Sequence, residues 1–122
     1  MAATMEPAEP VSSWRCSAGA LPPGRTATFR LRRDGRIVSA LILNHEGTHY
    51  AYVNRCPHAG MPLDWWPNEF LSDDGRHLVC ATHGAVFEPD TGRCVEGPCP
   101  GARLDPLPIE TRGESLIVGW PE

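Results

Sequence analysis

The sequence lacks the features that mark membrane and exported proteins. No apolar run approaches the ~20 residues that a membrane-spanning helix requires, and residues 1–10 contain neither the basic start nor the apolar stretch of a secretory signal. We therefore expect a cytoplasmic protein with no membrane partner. In that reducing compartment, cysteines serve as ligands or thiols rather than as disulfides.

Positive charge is also in short supply. The chain has 11 Lys and Arg against 15 Asp and Glu, which gives a formal net charge of −4. Because nucleic-acid-binding domains are basic, we expect no nucleic-acid partner. The length of 122 residues suits one domain whose core does not need a metal in order to form, so a bound metal is expected to serve function.

No segment shows a sustained helical apolar period, and the alternation of apolar residues predicts an all-β domain. Asp34-Gly35 is a two-residue hairpin signal. Residues 1–13, rich in Ala, Glu and Pro, are predicted to be a flexible tail before a single domain over 14–122. The predicted strands cover 26–33, 36–43, 48–54, 77–80, 85–88, 104–110 and 115–120.

The region from about 55 to 101 differs from the rest of the chain. It holds four of the five cysteines and six prolines, with little regular pattern. Proline stiffens a loop by fixing φ, and stiff loops on a rigid scaffold suit a binding site. This region is therefore predicted to be a small subdomain that carries the functional site.

Two short motifs, which we call the first and second boxes, stand out there. They are Cys56-Pro57-His58-Ala59-Gly60 and Cys80-Ala81-Thr82-His83-Gly84, with 21 residues between His58 and Cys80. Each box pairs a thiol with an imidazole. One tetrahedral zinc ion accepts two sulfur and two nitrogen ligands, and so do two bridged irons to which each box gives one ligand of each type.

The paired boxes resemble the Rieske [2Fe–2S] family. The resemblance implies that Cys56 and Cys80 bind one iron of one [2Fe–2S] cluster, and that His58 and His83 bind the other. It also implies an antiparallel β-sandwich into which a small cluster-binding subdomain is inserted. The implied function is an electron carrier between a flavoprotein reductase and an oxygenase or another redox enzyme.

Other positions indicate a low-potential member of this family. High-potential members have an additional cysteine in each box, and these two cysteines form a disulfide; Met61 and Thr82 occupy the matching positions here. Those members also place serine and tyrosine hydroxyls near the cluster sulfurs, where this chain has Ala85 and Phe87. Fewer donors to sulfur predict a potential near the low end of the roughly −150 to +300 mV range of Rieske centres.

The segment 97–101, Gly-Pro-Cys-Pro-Gly, matches a proline-rich loop that covers the cluster in this family. Cys94 and Cys99 flank or lie within it and are predicted to be free thiols, and Cys16 is predicted to be a packed apolar residue. Pairing or coordination by Cys94 and Cys99 stays open at this point.

We expect no catalytic centre in this chain. Ring-hydroxylating oxygenases continue from their Rieske domain into a domain with a mononuclear iron, and no such pattern precedes Glu122. Two alternatives to a ferredoxin remain. One is a small Rieske-like subunit of a larger reductase such as assimilatory nitrite reductase, and the other is a zinc-bound interaction module.

Overall fold

The described residues form nine β-strands and one short 3-10 helix. The structure is a computed structural model that describes residues 10–55, 77–79, 85–97 and 101–120. The elements are β1 (Trp14–Ser17), the 3-10 helix (Ala18–Ala20), β2 (Thr26–Arg33), β3 (Arg36–His45), β4 (Thr48–Val53), β5 (Leu78–Val79), β6 (Val86–Phe87), β7 (Cys94–Glu96), β8 (Ile109–Arg112) and β9 (Ser115–Val118).

The strands pair into three antiparallel sheets of three strands each. The central sheet has the order β2-β3-β4, the terminal sheet β1-β9-β8, and the small sheet β5-β6-β7. The prediction of an all-β, antiparallel fold is therefore confirmed. Among the described residues, no helix is long and apolar enough to cross a membrane.

Tight turns set the register of the central sheet. Asp34 and Gly35 have φ of 53° and 80°, the type I′ geometry that follows the twist of a hairpin, and they connect β2 to β3 as predicted. The predicted strands over 36–43 and 48–54 leave residues 44–47 for the next turn, but that turn is shorter, because β3 continues to His45. Asn44 explains the extension: its Oδ1 accepts a hydrogen bond from the Gly47 amide at 2.8 Å.

The two faces of the central sheet bury two separate cores. Ala40 and Ile42 face the terminal sheet, and their neighbours Leu41 and Leu43 face the small sheet; all four are at most 1% exposed. Successive side chains of a strand point to opposite faces, so an uninterrupted apolar run is what a strand between two layers requires. We call these the terminal core and the small-sheet core.

The predicted strand over 104–110 is wrong in its first five residues, since β8 begins at Ile109. Pro106 and Pro108 have no N–H to donate to a ladder. The segment instead covers the edge of β4: the Val53 amide donates to the Asp105 carbonyl at 2.8 Å, and the Leu107 amide donates to the Ala51 carbonyl at 2.9 Å. The last hairpin, between β8 and β9, turns at residues 113–114.

Two of the strands were not predicted, β1 and β7, which are four and three residues long. Both are too short for alternation to distinguish them from loop. Val11 also contacts the fold, because its amide donates to the Arg30 carbonyl at 3.0 Å and its carbonyl accepts from the Arg32 amide at 2.9 Å. The chain therefore joins the central sheet before β1.

Candidate metal centre

The four predicted ligands, Cys56, His58, Cys80 and His83, lie outside the described residues. Within the ranges that are described, no group of three or more His, Cys, Asp or Glu side chains could hold a metal ion. The structure does describe the segments that anchor both boxes.

The β5–β6 hairpin anchors the second box at both ends. Leu78 pairs with Phe87, and Val79 pairs with Val86; residues 80–85 lie between the two strands. Directly opposed residues of an antiparallel pair are about 5 Å apart, so the hairpin holds the chain together immediately before Cys80. Leu78, Ala85 and Phe87 have no exposed surface, and this burial fixes the hairpin on the small-sheet core.

The first box follows a hydrogen-bonded strand end. After β4, the Asn54 amide donates to the Ser39 carbonyl at 2.8 Å, and Asn54 Nδ2 donates to Ser39 Oγ at 3.3 Å. The Arg55 amide then donates to the Val53 carbonyl at 2.8 Å. Cys56 comes next in the sequence, so the backbone is positioned up to the residue before the first ligand.

Tyr52 connects these two anchors. Its ring belongs to the same small-sheet core as Leu78 and Phe87, and its hydroxyl donates to the Pro89 carbonyl at 2.7 Å. Burial, and then the nearby Asp90 carboxylate, raise the pKa of Tyr52 far above its ordinary value. The sequence marked Tyr52 only as a strand residue, because a contact across 37 residues leaves no local signal.

Gly92 allows the turn after β6 to lie against that ring. Its φ is +74°, and a Cβ at this position would come within 2.8 Å of Tyr52 Cε1. Only glycine combines this backbone conformation with so close an approach. The turn is closed by the Gly92 amide, which donates to the Glu88 carbonyl at 2.8 Å.

A bulge shapes β7 and the base of the predicted covering loop. Phe87 lies opposite Cys94 but Val86 lies opposite Glu96, so Val95 is the additional residue and is 40% exposed. The Cys94 thiol, buried in the small-sheet core, donates to the Glu96 carbonyl at 3.2 Å.

Backbone hydrogen bonds also close this loop. The Cys94 amide donates to the Ala102 carbonyl at 2.7 Å, and the Gly101 amide donates to the Cys94 carbonyl at 3.0 Å. Residues 98–100, which include Cys99, lie outside the described residues, so the covering role of 97–101 stays a prediction. Cys16 is a free, half-buried thiol that packs on the terminal core, as predicted, and burial raises its pKa.

The donor set fits a [2Fe–2S] cluster with mixed ligation. Two thiols and two imidazoles stand in two boxes, each box attached to hydrogen-bonded or buried backbone. The side chains that follow the second box, Ala85 and Phe87, are buried and have no hydroxyl. These buried side chains make the base of the second box dry and apolar.

Comparison with known proteins places the chain in a family. The family model of the Rieske [2Fe–2S] domain matches residues 13–112. The oxygenase component of chloroacetanilide N-alkylformylase from Rhizorhabdus wittichii strain DC-6 is 35% identical over 86 residues, which are 66% of this chain and 23% of that protein. The chain thus spans about a quarter of that relative's length.

Solved structures have the same fold. The ferredoxin of carbazole 1,9a-dioxygenase from Nocardioides aromaticivorans IC177 superposes with a TM-score of 0.64 at 21% identity, over 89% of this chain and 98% of that one. A chain of the reduced complex between oxygenase and ferredoxin in carbazole 1,9a-dioxygenase superposes with a TM-score of 0.69 at 16% identity. The match covers 87% of this chain and 27% of that one. With the family model matching most of its length, this chain belongs to the Rieske [2Fe–2S] domain family, and that membership implies one [2Fe–2S] cluster.

Proposed function

We propose that this protein is a Rieske-type ferredoxin that carries single electrons from a flavoprotein reductase to an oxygenase or another redox enzyme. The observation that carries the proposal is that both mixed Cys/His boxes adjoin anchored backbone, the hydrogen-bonded end of β4 for the first box and the buried β5–β6 hairpin for the second, in a chain of the Rieske family. The similarity to a ferredoxin over 98% of that protein's length supports the same function.

Within this proposal, Cys56 and Cys80 would hold one iron, and His58 and His83 would hold the other. When bound, the cluster supplies reversible one-electron chemistry. The two imidazoles are neutral, so they add no negative charge to a core that two thiolates already neutralise, and an electron enters such a site more easily than it enters an all-thiolate site. Because Ala85 and Phe87 have no hydroxyl group to donate to a cluster sulfur, they would offset part of this increase in the reduction potential.

The proposal extends to the chain as a whole. The predicted tail over 1–13 is shortened, because Val11 is hydrogen-bonded to β2. The single domain therefore begins by Val11 rather than at residue 14 and has its cluster-binding part at about 55–101, and the protein acts in the cytoplasm without a catalytic centre of its own.

A second candidate function is the electron-entry domain of a larger oxygenase. The 35% identity to an oxygenase component favours it. Both functions require the same cluster, and they differ in the assembly: a ferredoxin binds its partner transiently, whereas an electron-entry domain purifies in a stoichiometric complex or in one polypeptide with the catalytic iron. Gel filtration with mass spectrometry of the native protein distinguishes them.

Electron paramagnetic resonance of the dithionite-reduced protein tests the cluster. We expect a rhombic spectrum whose average g value lies below that of all-cysteine [2Fe–2S] proteins, and iron and acid-labile sulfide in equal amounts. A colourless protein with stoichiometric zinc and no signal would falsify the proposal and favour the zinc-bound module.

A further inference from the structure

The terminal sheet has two outer strands, β1 and β8, whose far edges are open. The order of the sheet is β1-β9-β8, so among the described strands each of these two pairs only with β9. The edges of β2, β4 and β7 are instead covered by neighbouring chain, at Val11, Pro106 and Ala102. An open edge presents unpaired N–H and C=O groups, to which another strand can bind.

Two residues of β8 direct their backbone toward this open edge. In an antiparallel ladder, hydrogen-bonded and non-hydrogen-bonded pairs alternate, and the Gly119 amide, which donates to the Pro108 carbonyl at 3.1 Å, fixes the alternation here. Ile109 and Thr111 therefore direct their N–H and C=O groups away from β9. Within the described part of the chain, these groups make no hydrogen bond.

The side chains of β8 divide between the two faces of the terminal sheet. Ile109 packs on the terminal core, and Thr111 lies on the same face because successive side chains of a strand alternate. Glu110 and Arg112 lie on the opposite face and are both exposed. The Arg112 Nε donates to Glu110 Oε2 at 2.7 Å. The outer face of β8 thus carries one charge of each sign, two residues apart.

These two charges are self-complementary. When two copies of β8 pair antiparallel about a two-fold axis at Thr111, Glu110 of each copy lies opposite Arg112 of the other. Opposite charges that face each other across a strand pair stabilise it, whereas like charges destabilise it. A register centred on Glu110 would place two glutamates opposite each other, so the charges select the register centred on Thr111.

We propose that β8 pairs edge to edge with β8 of a second copy of this chain, which joins two terminal sheets into one sheet of six strands. Thr111 donates its N–H to the Thr111 carbonyl of the second copy and accepts the reciprocal bond, so groups that are unpaired in one copy are satisfied in two. The contact is isologous, because the same strand forms both sides of it. Two threonines that lie directly opposite each other are also a favourable cross-strand pair.

The interface is small, and we expect a dimer that dissociates on dilution. β8 has four residues, whereas a stable interface has roughly 20–30 residues on each side. The residues that flank the second box belong to the small-sheet core, on the other face of the central sheet from the terminal core. Pairing through β8 therefore involves none of the segments that flank the second box.

Sedimentation velocity of the full chain tests the pairing, over about a hundredfold range of protein concentration that extends into the millimolar range. We expect the sedimentation coefficient of the unmodified protein to rise with concentration toward that of a dimer. Glu110→Arg and Arg112→Glu each replace two attractive pairs across the edge by two repulsive ones. In each single variant, dimerisation should therefore weaken by about tenfold or more.

Two restorations identify the register. Glu110→Arg/Arg112→Glu exchanges the two charges and should dimerise again, and an equimolar mixture of the two single variants should form a heterodimer although neither variant associates alone. Arg15→Glu is the matched control, because it makes the same charge change as Arg112→Glu at an exposed residue of β1. The exposed residues of β1 are Arg15 and Ser17, so pairing of β1 with itself brings no carboxylate opposite Arg15. We expect Arg15→Glu to dimerise as the unmodified protein does.

Amide hydrogen exchange locates the contact in the chain. Exchange of the peptide that covers β8 should slow as the concentration of the unmodified protein rises, and it should not slow in Arg112→Glu, whose unchanged melting temperature confirms folding. A protein that stays monomeric at the highest concentration would overturn the second copy as the occupant of this edge. Single variants that associate as strongly as the unmodified protein, a mixture that does not associate, or an equal loss in Arg15→Glu would overturn the pairing through β8.

Discussion

Tyr52 carries a structural role that its place in the sequence does not show. Its ring packs in the small-sheet core, and its hydroxyl satisfies the buried carbonyl of Pro89. A buried carbonyl that loses its donor costs about 1–3 kcal/mol. The tyrosine therefore stabilises the turn that follows the second box, at a distance of 37 residues in sequence.

Tyr52→Phe tests this role through the pH dependence of stability. Folding raises the pKa of Tyr52 above its ordinary value of 10.0, so the native state retains a proton that the unfolded state releases. The stabilisation is complete below about pH 10 and decreases above it by about 1.4 kcal/mol per pH unit. Tyr52→Phe should lower the free energy of unfolding, measured in urea, by about 1–3 kcal/mol at pH 7. Above pH 10 this free energy should decline less steeply in the variant than in the unmodified protein.

Tyr50→Phe is the control for that measurement. Tyr50 packs at the margin of the same core and is the last and smallest of the causes that raise the pKa of Tyr52, so Tyr50→Phe should leave most of the alkaline slope in place. If the free energy of unfolding falls with pH equally steeply above pH 10 in the unmodified protein and in Tyr52→Phe, the pKa of Tyr52 is the same in the folded and unfolded states.

Individual residues were predictable where their signal is local. Asp34-Gly35 predicted its turn because only a few residue types adopt positive φ at both positions. Cys16 was correctly predicted to be a packed residue. Asn44 was not identified, because its carboxamide extends β3 through contacts with Gly47 and with the distant Leu21 carbonyl.

At the scale of elements, the β5–β6 hairpin determines the surroundings of the second box. Its strands have only two residues each, and an isolated pair of that length is not stable in water. Burial of Leu78, Ala85 and Phe87 against β3 and β4 supplies the stability. None of these three buried side chains has a hydroxyl group that could donate to a cluster sulfur.

Ala85→Ser and Phe87→Tyr should therefore raise the reduction potential. A hydroxyl that donates to a cluster sulfur stabilises the reduced, more negative state; a difference of about 1 kcal/mol between the two states corresponds to roughly 40 mV for one electron. We expect each variant to shift upward by about that amount in protein-film voltammetry. Phe29→Tyr, in the terminal core, is the control and should leave the potential unchanged.

A starting potential well above zero would contradict the interpretation of Ala85 and Phe87. Unchanged potentials in both variants, with cluster content intact, would show that these positions do not reach the sulfurs.

Long strands were predicted more accurately than short ones. Strands of six to ten residues in the central sheet were predicted nearly to the residue, since alternation and hairpin turns coincide there. The segment before β8 was predicted as strand from its leucines, but Pro106 and Pro108 restrict it to edge contacts. β7 was missed because a bulge removes the period of two in a strand of three residues.

At the scale of the molecule, the two cores differ in how close their residues lie to the second box. The terminal core is built from strands β1–β4, β8 and β9 with Leu21 and Leu107, none of which adjoins the second box. The small-sheet core includes Leu78, Ala85 and Phe87, which flank that box. The four ligands stay a prediction from the sequence, whereas this division could not be predicted, since which strands share a core depends on long-range pairing.

Loss of one ligand should accordingly destabilise the small-sheet core but not the terminal core. We expect His83→Ala to lose the cluster and to lose amide hydrogen-exchange protection in β5 and β6, because the residues between these strands are no longer held by iron. β2, β3, β8 and β9 should stay protected, since the terminal core forms without the metal. Amide hydrogen exchange, measured by mass spectrometry on the unmodified protein and on His83→Ala, distinguishes these segments.

Cys94→Ala separates this effect from general damage to the small-sheet core. Cys94 is 1% exposed, and removing its thiol loses the hydrogen bond to the Glu96 carbonyl, which costs about 1 kcal/mol. Cys94 is not a predicted ligand, so this variant should keep two irons per chain and the exchange pattern of the unmodified protein. If His83→Ala instead unfolds β2 and β3 together with β5 and β6, the two cores form one cooperative unit; if Cys94→Ala loses its iron, Cys94 belongs to the metal centre.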